Sequence, residues 1–381
     1  MNKYHFKNIG WSLGNACPFH CVQCYSRSVR KSGKNLDKVL VDRIFNELSK
    51  LSIETINLGG NEPIYTNGLD PKKSLLPYII DKAVERGVKT GITTAGPTLI
   101  EIEKLYPEYL KKINDVDISL DSPWEEEHDR NRGQKGLFKM AIQAVEICKK
   151  NNLPRTLIMC AMNWNFTNDR IVEYVKLGKL LHANVRFNPI KPVESFQKKL
   201  ALPSKQFFEG LRTLLQYCDP VDLSDPLWAV ANDCASVSGC PCGTSSFRIN
   251  SITPEGKIPV SPCVYLHDFK CGDLTTQSIL EILIMKPFQL FKRRKFQKGA
   301  IKDCDGCSSF SICGGGCAAR TYLHQKNVNG SKKPSLFKKD PYCLKEDIQK
   351  QFFIQKKRPL LMSECQLVHQ GYLCTGIFSP R

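Results

Sequence analysis

At 381 residues the chain is long enough for one large domain and a smaller one, and 41% of it is hydrophobic, so a sizeable core can form. No apolar run approaches the roughly 20 residues of a membrane-spanning helix, and no export or lipidation signal is evident, so a cytoplasmic protein without a membrane partner is expected. The net charge of +18 gathers late, where Lys286, Lys292, Arg293, Arg294, Lys295, Lys298 and Lys302 occur with no acidic residue among them. No nucleic-acid module accompanies them, so they read as a solvated basic face or a surface for an acidic peptide rather than a nucleic-acid site.

From the N-terminus, strand-length apolar runs alternate with segments of helical period. Strands are expected at Ile9 to Leu13, Thr55 to Leu58, Val88 to Thr93, Val116 to Leu120, Thr156 to Ala161 and Val185 to Asn188. Helices are expected at Val39 to Leu51, Leu76 to Arg86, Leu99 to Tyr109, Leu137 to Lys150 and Arg170 to Leu181, with Gly87 a suitable stop for the second. Six such repeats argue for an α/β fold with a parallel sheet, without deciding between an open sheet and a curved partial barrel.

Cysteine carries the chemistry. Eighteen cysteines in a long chain without a signal peptide point to metal rather than disulfide, and twelve of them lie from Cys234 onward. Near the start, Cys17-x3-Cys21-x2-Cys24 follows the first strand. Three thiolates on one tight loop can hold three irons of a [4Fe–4S] cube and leave the fourth without a protein ligand. A Cys3His zinc site completed by His20 is the rival, and a poor one, because neighbours on one loop rarely point inward together.

Further motifs fall at later strand ends, where active sites gather in barrels of this kind. Gly59-Gly60-Asn61-Glu62-Pro63 ends the second strand, and its glycines let backbone groups approach a ligand closely. Ser119-Leu120-Asp121-Ser122 ends the fourth, with Arg130 and Arg132 just downstream, and Asn188-Pro189 ends the sixth. Late in the chain, Cys304-x2-Cys307-x5-Cys313-x3-Cys317 precedes Cys343, while Cys242 and Cys263 bracket a hairpin pattern centred on Gly256. The number of late cysteines suits two closed four-thiolate sites better than one zinc.

The early loop resembles the signature of the radical S-adenosylmethionine (radical SAM) enzymes, and the late cysteines resemble the SPASM extension found on some of them. The resemblance runs over about residues 5 to 345. It implies a (β/α)6 partial TIM barrel over residues 1–200, a helical linker over 201–233, a cysteine-rich auxiliary-cluster domain over 234–350 and a tail over 351–381. Cys17, Cys21 and Cys24 would hold a [4Fe–4S] cluster whose open iron is chelated by SAM. Reductive cleavage would then yield a 5′-deoxyadenosyl radical that abstracts a substrate hydrogen.

Carried over residue by residue, the family pattern assigns Gly59, Gly60 and Glu62 to the SAM amino group, although Asn61 is an insertion that displaces Glu62. Ser119 and Asp121 would meet the ribose, Arg130 or Arg132 the carboxylate, and Asn188 the adenine. The residue before the third cysteine is usually aromatic in the family; here it is Gln23, and Tyr25 is the nearby substitute. Two auxiliary [4Fe–4S] clusters are implied. Cys304, Cys307, Cys313 and Cys343 would ligate one. Cys242, Cys263 and Cys317 would ligate the other, with Cys234 or Cys240 completing it. Cys271, Cys365 and Cys374 are left unassigned.

Enzymes with this layout mostly modify ribosomally made peptides through thioether or carbon–carbon crosslinks. A peptide substrate is therefore the leading expectation, with an acidic leader suited to the basic region, and a flavodoxin or ferredoxin as electron donor. Many such relatives carry a leader-recognition domain ahead of the barrel. The sequence starts at the first strand, so recognition is expected to use the core surface or a separate protein. Two-electron oxidation of a serine-type residue or a sugar is the alternative. Sulfatase-maturing relatives place a catalytic Asp where this chain has Val264, with Asp268 a nearby substitute. A non-catalytic iron–sulfur scaffold is the remaining class.

Overall fold

The structure is a computed structural model, described here for residues 4–14, 16–26, 34–232, 239–343, 360, 367 and 373–381. Six parallel strands run in sequential order: β1 (His5–Ser12), β2 (Ser52–Gly59), β3 (Lys89–Thr94), β4 (Asp115–Ser119), β5 (Arg155–Ala161) and β6 (Asn184–Pro189). Each lies within a few residues of its expected run. These strands read as apolar runs because both faces are covered, as parallel sheets require. Ile9, Ile56, Leu58, Ile92, Ile118 and Leu157 are all inaccessible to solvent.

The helices between them form the outer layer. In α1 (Lys38–Leu48) the Asp37 carboxylate accepts from Leu40 N at 2.8 Å, capping the first turn. Its buried Val41, Ile44, Phe45 and Leu48 recur at i, i+3, i+4 and i+7, one stripe facing the sheet. Burying each such side chain contributes about 1.5–3 kcal/mol. Helix α2 (Leu76–Val84) ends where Gly87 adopts φ +66° and Val88 N donates to Ala83 O at 3.0 Å, a left-handed stop that glycine makes without strain. Helix α3 (Pro97–Leu105) starts from Pro97, and the expected continuation toward Tyr109 is a separate 3-10 turn because Pro107 cannot extend the helix. A short charged helix, α4 (Glu125–Arg132), precedes α5 (Leu137–Lys150), and α6 (Asn168–Leu180) follows β5.

The sheet does not stop at six strands. With β7 (Cys218–Leu223), β8 (Ser246–Ile249), β9 (Val260–Ser261) and β10 (Gly376–Pro380) added, its order is β7-β10-β6-β5-β4-β3-β2-β1-β8-β9, ten strands in one sheet. The segment expected as a helical linker contributes α7 (Ser204–Tyr217), strand β7 (Cys218–Leu223) and α8 (Pro226–Ala231). The hairpin expected around Gly256 is formed by β8 (Ser246–Ile249) and β9 (Val260–Ser261), and β8 lies parallel to β1. The expected C-terminal tail ends in β10 (Gly376–Pro380), antiparallel to both β6 and β7. The cysteine-rich part is thus joined to the barrel by continuous strand pairing. No helix among the described residues is long and apolar enough to cross a membrane.

A buried ion network braces the late region. Arg320, in a short helix, α9 (Ala318–Leu323), is 2% exposed and donates to Asp225 Oδ2 at 2.8 Å and Asp340 Oδ2 at 2.7 Å. Its guanidinium carbon lies 5.0 Å from the Phe207 ring centre and 4.8 Å from that of Tyr342. Asp340 Oδ2 also accepts from Cys317 N at 2.8 Å, which fixes one of the late cysteines. Two carboxylates around one guanidinium offset the cost of taking these charges out of water only while all three are present.

Candidate functional site

One pocket opens at the C-terminal ends of the parallel strands. Cys17, Cys21 and Cys24 line it together with Gln23, Tyr25, Gly60, Glu62, Ser119, Arg132 and Asn188. Loop geometry brings the three thiols to one wall: Cys24 N donates to Cys21 O at 3.2 Å, closing a turn. The nearby Ser26 hydroxyl lies 3.2 Å from Cys24 Sγ and donates to Gly60 O at 2.9 Å, tying the loop to the end of β2. His20 is exposed and not among the pocket's lining residues, so it does not join the three thiols. Three soft sulfur donors on one wall, with His20 turned away from them, suit an iron–sulfur cube better than a Cys3His zinc site.

Gly60 takes φ +93°, and a Cβ there would sit 2.3 Å from Ser12 Oγ and 2.5 Å from Arg248 Nη2. Glycine is needed both for the backbone angle and for that close approach. Gly59 is not among the lining residues.

Several expected ligand contacts turn out to be internal braces. Asp121 is inaccessible to solvent. Its Oδ2 accepts from Gln23 Nε2 at 2.6 Å, Asn131 Nδ2 at 3.0 Å and Arg132 Nε at 2.6 Å, while Oδ1 accepts from Cys160 N at 3.0 Å. With four donors on it, the carboxylate holds other pocket residues in place and does not itself line the pocket. Desolvation works against the Arg132 charge, yet the Asp121 carboxylate overrides it and holds the guanidinium pKa above its ordinary value. Of the two candidate arginines, Arg132 lines the pocket and Arg130 is exposed outside it, because helical positions two apart point about 200° from each other.

Glu62 is 3% exposed. Its carboxylate accepts from the Thr94 hydroxyl, from Ala95 N at 2.9 Å and from Thr98 N at 3.0 Å, anchoring the turn into α3. Burial pushes its pKa up against those hydrogen bonds. The inserted Asn61 donates instead to Gly14 O, beside the cysteine loop. His128, in α4, accepts from Asp121 N through Nδ1 at 3.0 Å, and burial lowers its pKa to about 4.

Gln23 shows the most telling arrangement. Its Nε2 is used by Asp121, while its Oε1 is buried and finds no hydrogen-bond partner among the described residues. A buried acceptor left unpaired is costly, so a pocket that displays one is built for a donor to arrive.

Two cations at this pocket were not visible as site residues in the sequence. Arg248, from β8, is 4% exposed; its Nη2 donates to Ser12 Oγ at 2.8 Å and lies 3.4 Å from Tyr25 OH. Lys191, 2% exposed, donates to Cys374 O at 3.0 Å and stands 5.1 Å from the Tyr265 ring centre. A basic residue at an inward position of a short strand, and another just past Asn188-Pro189, were the signals available. Val264, Tyr265 and Leu373 complete the wall nearest the late cysteines. Asp268 lies outside it, bound to Lys326 Nζ at 2.5 Å and Tyr322 OH at 3.1 Å.

The late cysteines form two groups. Cys304, Cys307, Cys313 and Cys343 line one small cavity, the grouping that the family resemblance implies. Cys240, Cys242, Cys263 and Cys317 pack in a second buried group, joined there by Cys374, whose Sγ lies 3.4 Å from Cys240 Sγ. Cys234 and Cys365 lie outside the described residues. Cys271 takes no part in either group: it pairs through its backbone with Val260, donating at 2.8 Å.

An open three-thiol wall in a strand-end pocket, backed by further sets of thiols, defines an iron–sulfur enzyme whose first centre meets a small molecule. Residues 11–177 match the radical SAM superfamily and residues 240–308 match the SPASM iron–sulfur cluster-binding domain. The chain belongs to the SPASM-bearing radical SAM enzymes: it binds iron–sulfur clusters and SAM and acts through radical chemistry. It is similar to the mycofactocin maturase MftC of Mycolicibacterium smegmatis, 24% identical over 349 residues, covering 88% of this chain and 82% of that protein. Among solved structures, anSMEcpe with bound AdoMet and the Kp18Cys peptide superposes with a TM-score of 0.66 at 17% identity, over 91% of this chain and 96% of that one. SuiB of Streptococcus suis, bound to the precursor peptide SuiA, gives 0.63 at 14% identity, over 89% and 76%. At such identities the two structures speak for the fold alone.

Proposed function

We propose that this enzyme modifies a peptide, using the strand-end pocket to hold SAM and a side chain of the peptide between the first cluster and the late thiols. When bound, the first cluster supplies the electron that splits SAM and yields the hydrogen-abstracting 5′-deoxyadenosyl radical. The observation that carries the reading is the shared pocket. Cys17, Cys21 and Cys24 line it together with Val264, Tyr265 and Leu373, which stand one or two residues from Cys263 and Cys374. A substrate seated there lies between a radical source and an electron acceptor. MftC is named a maturase, and the fold neighbours hold peptides, which supports a peptide as the substrate class.

The chain's own residues divide the work. Gly60 presents backbone to the SAM ammonium at a place where a side chain would collide. Arg248 stands close to Gly60, as its contact with a Cβ there shows, and so suits the carboxylate of the same amino-acid moiety. Gln23 offers Oε1 to the adenine amino group or a ribose hydroxyl, with Asp121 fixing which way the amide faces. Lys191 and Tyr265 lie on the side next to the late cysteines and suit the substrate. The apolar Val264 in the wall, with Asp268 held elsewhere by Lys326, leaves the serine-oxidation reading without its base at the pocket.

Two auxiliary [4Fe–4S] clusters, held by the two late thiol groups, would accept the electron left after radical coupling. The exposed Lys286, Arg293, Lys298 and Lys302 suit an acidic leader, whereas Arg294 is buried and donates to Gly315 O and Thr321, so it serves the fold. The test is anaerobic co-expression with candidate precursor peptides. A peptide lighter by two hydrogens, together with 5′-deoxyadenosine, supports the reading. 5′-Deoxyadenosine formed while no peptide changes mass, but a sugar or another small molecule does, overturns the peptide assignment.

A further inference from the structure

Among the described residues, five thiols occupy the buried group nearest the pocket, one more than a closed [4Fe–4S] centre takes. Their mutual contacts are unequal. Cys240 accepts from Cys374 at 3.4 Å and also from Cys317, and Cys374 donates to Cys317, so these three touch pairwise. Cys242 lies beside Cys240 and Cys263.

We propose that Cys374 is a ligand of this auxiliary centre, beside Cys240 and Cys317, which its thiol touches. The proposal rests on the reading of two auxiliary clusters. Cys374 lies well past residue 308, where the matched SPASM segment ends, and the cysteine spacing gave it no role. Its position is fixed from both sides. Cys374 is 2% exposed, its carbonyl accepts from Lys191 Nζ at 3.0 Å, and Thr375 O accepts from Asp225 N at 2.8 Å. The Thr375 hydroxyl donates to Phe187 O at 2.9 Å, and β10 begins one residue later between β6 and β7. The thiol is thus held by sheet pairing rather than by a loose terminus.

The consequence is a direct mechanical and electronic link. Leu373 lines the pocket, so a substrate touching it stands one residue from a cluster ligand. Lys191 connects the same two places, lining the pocket and bonding the Cys374 carbonyl. Occupancy of the pocket therefore bears on the backbone that carries the ligand.

The experiment compares anaerobically reconstituted wild type, Cys374→Ser and Cys304→Ser by iron per chain and by Mössbauer and EPR spectra. Cys374→Ser is expected to lose up to about four irons per chain, or to keep them with an altered auxiliary signal. Wild-type iron and spectra in Cys374→Ser overturn the proposal. A chain that simply misfolds would lose all of its iron, whereas Cys374→Ser is expected to retain both the signal of the first cluster and the one that Cys304→Ser removes. Wild-type iron near eight rather than about twelve per chain would instead overturn the count of auxiliary clusters.

Discussion

Replacing Asp121 by Asn tests how the pocket is organised. The substitution keeps shape and one acceptor oxygen but removes the charge that Arg132 and Gln23 share, at 2.6 Å from each. Removing one partner of a buried ion pair costs about 3–5 kcal/mol, because the other charge is left uncompensated. The Arg132 side chain is 12% exposed, which favours the lower end, about 3 kcal/mol or roughly a hundredfold in the folding equilibrium. The new amide NH2 also opposes one of the donors that Asp121 now accepts, so Gln23 loses its fixed orientation and SAM affinity falls with it. Chemical unfolding of anaerobic wild type, Asp121→Asn, Arg132→Met and the double variant gives the cycle. The double variant should recover most of the lost stability, since removing both charges leaves no unpaired ion, yet bind SAM poorly. A single-variant loss below about 1 kcal/mol, or a double variant no more stable than Asp121→Asn, would refute the buried-pair argument.

Other perturbations follow from the same geometry. Gln23→Leu removes the waiting acceptor; the loss of one hydrogen bond of about 0.5–1.5 kcal/mol predicts SAM binding weaker by roughly 2- to 12-fold by equilibrium dialysis, and the lost bond to the Asp121 carboxylate lowers folding stability by about 1.5–3 kcal/mol. Arg248→Leu should raise the KM for SAM more than it lowers kcat, and an unchanged KM would remove Arg248 from the carboxylate. Because His128 is held neutral with its pKa lowered to about 4 from 6.5, the unfolded chain binds the extra proton between those values. Stability should therefore be complete above pH 6.5 and fall by about 3 kcal/mol toward pH 4, and His128→Gln should flatten that slope in pH-dependent unfolding. Asp340→Asn should destabilise the late region by about 3–5 kcal/mol and release iron from it faster than from the first cluster, followed by chelator-chase kinetics.

The six-strand body was legible because each parallel strand is buried on both faces and reads as a plain apolar run, and helix α5 was read to its residue. Strands β7 and β10 were not. Cys218–Leu223 carries Asp219, Pro220 and Asp222, and β10 is antiparallel at a distance of nearly 190 residues from β6, a pairing no local pattern announces. At the site, cysteine spacing brought out the early wall, and the family resemblance implied the Cys304, Cys307, Cys313, Cys343 set. The motif residues Asp121 and Glu62 were found as residues, but their carboxylates turned out to be internal acceptors, because sequence shows which groups are near a strand end and not which donors surround them. Lys191, Arg248 and Cys374 come from segments whose local pattern is ordinary. Only the sheet brings them to the pocket.

The central claim is that Cys17, Cys21 and Cys24 together hold a cluster with an open iron at which SAM is cleaved. Replacing all three by Ala and assaying 5′-deoxyadenosine beside iron content tests it most directly. The account predicts no 5′-deoxyadenosine and a loss of about four irons per chain, with the iron of the late thiol groups retained. SAM cleavage surviving in that variant would contradict it.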